Sequence, residues 1–167
     1  MFWIGIDPGL HGGIAVLDDE LKVFELMVMP TIGKELDYGE LRALIDGYGS
    51  GVWFIEQVHA LHRAGTTSAF NFGRMLEGLK AAVAICGCRY QLLAPRDWQK
   101  IAWQGVSKVK RGKRVDTKAT SLNAVKRLFP NVSCVPTERS KKPHDGMVDA
   151  LLIAYAGRML WKGGEKR

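Results

Sequence analysis

Four carboxylates stand where their type and spacing could do chemistry. Asp7 closes the apolar run of "IGIDPGL", and Glu56 closes the apolar run "GVWFIE". Asp145 and Asp149 lie four residues apart at the head of "HDGMVDALLIAYAGRMLW", so a helix would carry both on one face near its N-terminus. Each acid alone has an ordinary explanation. An Asp before Pro-Gly suits a turn, and an acid at a helix start caps it and favours its dipole. Asp149 sits a turn further in, where capping explains it less well. If the runs ending in Asp7 and Glu56 are neighbouring parallel strands, their acids lie side by side. Burying one ionised carboxylate is costly and burying two together costs more. A cation between them removes that cost. Hard divalent ions such as Mg²⁺ prefer oxygen donors and leave room for waters and substrate phosphates. Two such ions can activate water and stabilise the leaving oxygen of a phosphodiester.

The charge pattern points to the same substrate class. The chain has 167 residues and a formal net charge of +7. Residues 108–127 hold eight basic groups (Lys108, Lys110, Arg111, Lys113, Arg114, Lys118, Lys126 and Arg127) against one acid, Asp116. The whole excess is therefore local, as expected for binding a phosphate polyanion. Acids plus a basic patch converge on phosphodiester hydrolysis.

The elements that must position these groups follow from periodicity. Residues 2–7, 12–18 and 21–28 read as an antiparallel meander, with "DPGLHG" and "DDE" at the reversals. A helix is expected over 36–47, a buried strand over 51–56, a long helix over 67–85 and a short strand over 88–93. Pro95 opens a helical turn. Residues 104–115, rich in Gly and basic residues, read as a mobile loop, and helices are expected over 116–129 and about 144–161. This order, βββαβαβαα, predicts one α/β domain over 1–167: a mixed five-stranded sheet flanked by helices.

Three cysteines, Cys86, Cys88 and Cys134, form no disulfide framework and no metal pair, and are expected as free thiols in a reducing compartment. No apolar run reaches the roughly 20 residues of a membrane helix, and the N-terminus has no signal-peptide pattern. The expectation is a cytoplasmic protein without a membrane partner. Trp98 and Trp103 could stack on bases, though Trp in a short helix is more often core. His11 is expected at the surface near the cleft.

The chain resembles the RuvC family of Holliday-junction resolvases, within the ribonuclease-H-like superfamily. The resemblance is carried by "IGIDPGL" with "GGIAVL", by "IEQVHA" followed by "SAFNFGRMLEGLKAAV", and by "VDALLIAYA", in the same order over most of the chain. It implies a homodimer in a bacterial or phage-infected cell that nicks four-way DNA junctions in pairs, using Mg²⁺, with Mn²⁺ as a substitute. Broader branched-DNA or flap cleavage, and a junction-binding protein weakened in catalysis, are the alternatives. Asp7, Glu56 and Asp149 match metal-binding positions of the family. The fourth position falls at Gly146, which has no ligating side chain. The role then passes to Asp145, with His144 as the alternative. Lys118, in "DTKATSLNAV", matches a catalytic lysine, and Lys108 and Lys113 are candidates for a second. The resemblance also places His59 where members often carry an aromatic residue that enters the junction. Arg63, Arg74, Lys108, Lys110, Arg111, Lys113, Arg114 and Lys118 complete the expected DNA-binding set. The lengthened basic loop and "RDWQKIAW" look more like phage-encoded relatives.

Overall fold

The computed structural model describes residues 1–57 and 65–161. In chain order the elements are β1 (Trp3–Asp7), β2 (Gly13–Leu17), β3 (Val23–Val28), β4 (Thr31–Ile32), β5 (Glu35–Leu36), α1 (Tyr38–Tyr48), β6 (Val52–Glu56), α2 (Thr66–Ile85), β7 (Arg89–Leu93), α3 (Pro95–Ala102), β8 (Lys110–Arg111), β9 (Arg114–Val115), α4 (Thr117–Leu128) and α5 (Asp145–Leu160). Five strands form one mixed sheet in the order β3-β2-β1-β6-β7. The meander β1–β3 is antiparallel, and β6 joins β1 in parallel, as does β7 beside β6. Helices cover both faces, as a mixed sheet with buried strands requires.

Side-chain alternation sorts the core into two layers. On one face Trp3, Ala15, Leu17, Val52, Phe54 and Leu93 pack with α3, α4 and α5. On the other Ile4, Ile6, Ile14, Val16, Trp53 and Ile55 pack with α1 and α2. Asp7 and Glu56 share the parity of Trp3 and Phe54, so both carboxylates belong to the α5 face.

α5 lies unusually close to that face, because small residues meet there. A Cβ on Gly5 would run into the backbone of Ala150 and Ala154, and one on Gly13 would stand 2.6 Å from the Gly146 carbonyl oxygen. A Cβ on Gly146 would in turn collide with the backbone of His11 and Gly12. The helix head is thus docked backbone to backbone on the β1–β2 turn, one residue from Asp145 and three from Asp149.

Three local features differ from the sequence expectation. Leu36 pairs with Thr31 in a small hairpin, and the helix begins after Asp37, whose carboxylate accepts from the Gly39 and Glu40 amides. Pro95 opens a full eight-residue helix, not a single turn. Residues 104–115 are not a featureless loop. β8 and β9 pair as a hairpin whose tip has Gly112 at φ +62°, a conformation glycine adopts without strain. The hairpin is tied to the start of α4: the Asp116 amide donates to the Val109 carbonyl at 2.8 Å, the Val109 amide to Thr120 Oγ1 at 3.0 Å, and Arg111 Nε pairs with Asp116 Oδ2 at 2.5 Å. Charge clustering hid the strands, because basic residues lack the alternation that marks a half-buried ribbon.

Cys86 and Cys88 are half-buried and Cys134 is buried, all as free thiols. Among the described residues no helix is long and apolar enough to cross a membrane.

Candidate metal centre and nucleic-acid interface

Parallel pairing does what the opening acids require. Ile6 is opposite Ile55, so Asp7 and Glu56 leave adjacent strand ends together. α5, held close by its glycine contacts, brings Asp149 to the same point. The three carboxylates feel one another. Burial pushes the Asp7 carboxyl up to about 9, and the negative charges of Glu56, Asp149 and Asp145 add to it, with Lys118 opposing. Burial likewise lifts Asp149 to about 7, opposed by the Ser121 hydroxyl and reinforced by Glu56 and Asp145. Glu56 is raised by burial, against which the Trp98 N–H stabilises its charged form. Asp149 Oδ1 is buried without a hydrogen-bond partner. Partly buried acids of one sign, with an orphaned oxygen, make a poor structural arrangement on their own.

The fourth acid is placed differently. Asp145 is exposed, and its Oδ2 accepts from Lys118 Nζ at 2.5 Å. That pairing raises the Lys118 ammonium above its usual range. His144 is the residue before α5. Its amide donates to the Cys134 carbonyl at 2.7 Å, and its Nδ1 is buried without a partner. As the side chains lie, no group of three His, Cys, Asp or Glu among the described residues could grip one ion. Two of the acids are already engaged, Glu56 by Trp98 and Asp145 by Lys118. The donor chemistry nevertheless suits a hard divalent cation: the buried donors are all carboxylate oxygens, one has no partner, and Lys118 offsets them only from the exposed rim.

Trp98 is core, as expected of a Trp in this short helix, and Trp103 packs against the same cluster, but both also serve the carboxylates. Trp98 is 1% exposed, and its Nε1 donates to Glu56 Oε1 at 2.8 Å. Trp103 meets Trp98 edge-on at 6.4 Å, and its Nε1 donates to Ser121 Oγ at 3.3 Å, the hydroxyl that faces Asp149. Trp98 on α3 therefore orients Glu56 directly, and Trp103, just past that helix, holds the α4 hydroxyl that faces Asp149. Sequence reasoning missed this role. The available signal was a Trp with a donor N–H, placed in the helix straight after the strand that pairs with β6.

The basic residues lie beside this centre. Lys108, Lys110, Arg111, Lys113 and Arg114 are all exposed, and the hairpin carries four of them next to Lys118 in the first turn of α4. Arg74 sits apart from them, on α2, with Nη1 3.1 Å from Glu35 Oε1 on β5. His59 and Arg63 lie outside the described residues. His11 is exposed in the β1–β2 turn, and its carbonyl touches the place a Gly146 side chain would need.

No family model matches the sequence, and no curated protein matches it. Solved structures do. Thermus thermophilus RuvC in complex with a Holliday junction substrate superposes with a TM-score of 0.64 at 17% identity, covering 93% of this chain and 91% of that one. Thermus thermophilus RuvC alone gives 0.62 at 18% identity, covering 93% and 92%. At that identity the likeness concerns the fold. The meander, the parallel strands β6 and β7 and the helices on both faces give the chain a RuvC-like, ribonuclease-H-like α/β fold.

Proposed function

We propose that the protein is a metal-dependent endonuclease that cuts branched DNA, with the four-way junction as its substrate and a homodimer making paired nicks in the cytoplasm of a bacterial or phage-infected cell. One observation carries the reading. Asp7, Glu56 and Asp149 converge from two parallel strand ends and one close-packed helix, desolvated and mutually repelling, beside a tethered basic hairpin. The RuvC-like fold supports it, and one structure sharing that fold is a RuvC complex with a Holliday junction substrate.

Asp7, Glu56 and Asp149 would hold Mg²⁺ or Mn²⁺, with Asp145 or His144 at the edge of the site. When bound, divalent ions supply an activated water and positive charge opposite the leaving oxygen. The chain's own residues do the rest. Trp98 fixes the Glu56 carboxylate. The glycine contacts hold α5, and with it Asp149, against the sheet. Lys118 stands at the rim, where it can shift from Asp145 to a phosphate oxygen and neutralise charge as it develops. The hairpin and Lys108 contact backbone phosphates without reading bases.

The deciding assay is cleavage of a synthetic four-way junction with Mg²⁺ or Mn²⁺ by the parent protein, Asp7→Asn and Asp145→Asn. Symmetric nicks lost in Asp7→Asn, with junction binding retained, are expected. Nicking that survives Asp145→Asn moves the fourth role to His144. Cleavage of flaps or forks in preference to junctions would widen the substrate class. Junction binding by the parent without nicks in either metal would leave a binding protein, the alternative that the resemblance raises because its fourth ligand position falls on Gly146.

A further inference from the structure

The exposed side of α3 was not part of any expected site. Trp98 and Ala102 turn inward. Outward, Arg96, Gln99, Lys100, Trp103, Gln104 and Lys108 line an open groove of about 440 Å³. Three of these six side chains are cations and two are carboxamides. Arg96, Gln99 and Lys100 are three and four residues apart on α3, so the helix carries them along one side, and Trp103 and Gln104 follow just past its end. Past the helix, Gly105 at φ +74° turns the chain, and the Arg127 guanidinium lies 3.8 Å from where a Cβ on Gly105 would stand, adding a fourth cation at this end. Arg96 has an acidic neighbour, Asp97 at 3.8 Å, but both are exposed and so weakly coupled.

We infer that this groove binds the sugar–phosphate backbone of one strand of a DNA arm, next to the carboxylate centre, as a contact surface separate from the hairpin. Its chemistry matches. Cations in a row suit successive phosphates, amides suit sugar and phosphate oxygens, and the half-buried Trp103 offers an apolar wall for a deoxyribose. Its length matches too. An eight-residue helix is about 12 Å long, and a DNA strand carries a phosphate every 3.4 Å or so of duplex axis. Two or three consecutive phosphates therefore fit. Its position matters for the chemistry: the same helix that would hold the strand also holds Glu56 through Trp98, so strand and carboxylate are located by one rigid element.

This inference rests on the DNA-cleaving reading, and the test separates the two. Binding of a labelled four-way junction is measured against salt concentration in EDTA, for the parent protein, for Arg96→Gln/Lys100→Gln, and for a control, Lys22→Gln/Arg42→Gln, in the β2–β3 turn and on α1, which packs on the opposite face of the sheet. Losing two phosphate contacts should lower the log–log salt slope by about 2 and weaken binding roughly tenfold at moderate salt. The control should stay within twofold of the parent. In the unmodified protein, saturating junction should shield Lys100 from acetylation while Lys22 still reacts. Unchanged affinity and slope in the variant, or full reactivity of Lys100 in the complex, overturns the groove alone. Failure of the parent to bind any DNA overturns the groove and the nuclease reading together.

Discussion

Replacing Asp7 by Asn should stabilise the metal-free protein while destroying its function. The Asp7 carboxyl has its pKa pushed from 3.8 to about 9 by burial and by the acids around it. A carboxyl raised in the folded state costs nothing below its unfolded pKa. The cost appears as pH rises above about 4 and grows until the folded pKa is reached. At pH 7 the difference is about three units, or roughly 4 kcal/mol at 1.36 kcal/mol per unit. An amide of the same shape avoids the ionisation cost but still loses hydration. Allowing a few kcal/mol for that, the net gain is on the order of 1–3 kcal/mol, a rise of roughly 3–10 °C in Tm for a chain of this size. The measurement is thermal unfolding of both proteins in EDTA from pH 4 to pH 8. The advantage of Asp7→Asn should shrink as pH falls and turn into a deficit near pH 4, where the ionisation cost is gone and the amide's lost hydration remains. Saturating Mn²⁺ should raise the parent's Tm by mass action, about 2.7 kcal/mol at a hundredfold excess over Kd, and leave the variant unmoved. A variant less stable than the parent at pH 7 in EDTA, or an advantage independent of pH, would refute the account of a strained carboxylate cluster.

Three further outcomes are expected. Trp98→Phe keeps the buried ring but removes the N–H donated to Glu56; stability should fall by about 1 kcal/mol, and Mn²⁺ affinity, read by calorimetry, should weaken well beyond the twofold expected of a passive core residue. Gly146→Asp puts an acid at the position where the resemblance expects a metal ligand, yet its Cβ meets the His11 and Gly12 backbone; the cost should exceed about 3 kcal/mol, the upper end of ordinary overpacking, seen in the urea midpoint, with no gain in nicking. Lys118→Met breaks a pair whose side chains are 71% and 53% exposed, so Tm should barely move, while single-turnover cleavage should slow at least tenfold.

How much of this was legible beforehand depends on the range of the forces involved. Apolar runs ending in acids announced β1 and β6, and the near-continuous hydrophobicity of 146–157 announced a buried α5, because burial on every side leaves a local record in residue type. The five-stranded mixed sheet followed from that record and from the rule that parallel strands need a crossover. Helix starts shifted by a residue or two where capping chemistry overrode periodicity, as at Asp37. The hairpin β8–β9 escaped because its support is not local: it hangs on Asp116 and Thr120 of the next helix.

The sequence alone determined the donor set, the concentration of positive charge and the order of elements, since these are properties of residue identity and short-range pattern. Tertiary structure decided the rest. It put Asp145 on Lys118 and left Asp149 Oδ1 without a partner. It gave Trp98, a core residue, and Trp103 beside it a second task as orienting groups. It also gave a reason for the glycine at 146. No spacing rule foretells that position, because the constraint is the approach of two backbones more than 130 residues apart in the chain, at a separation no side chain survives.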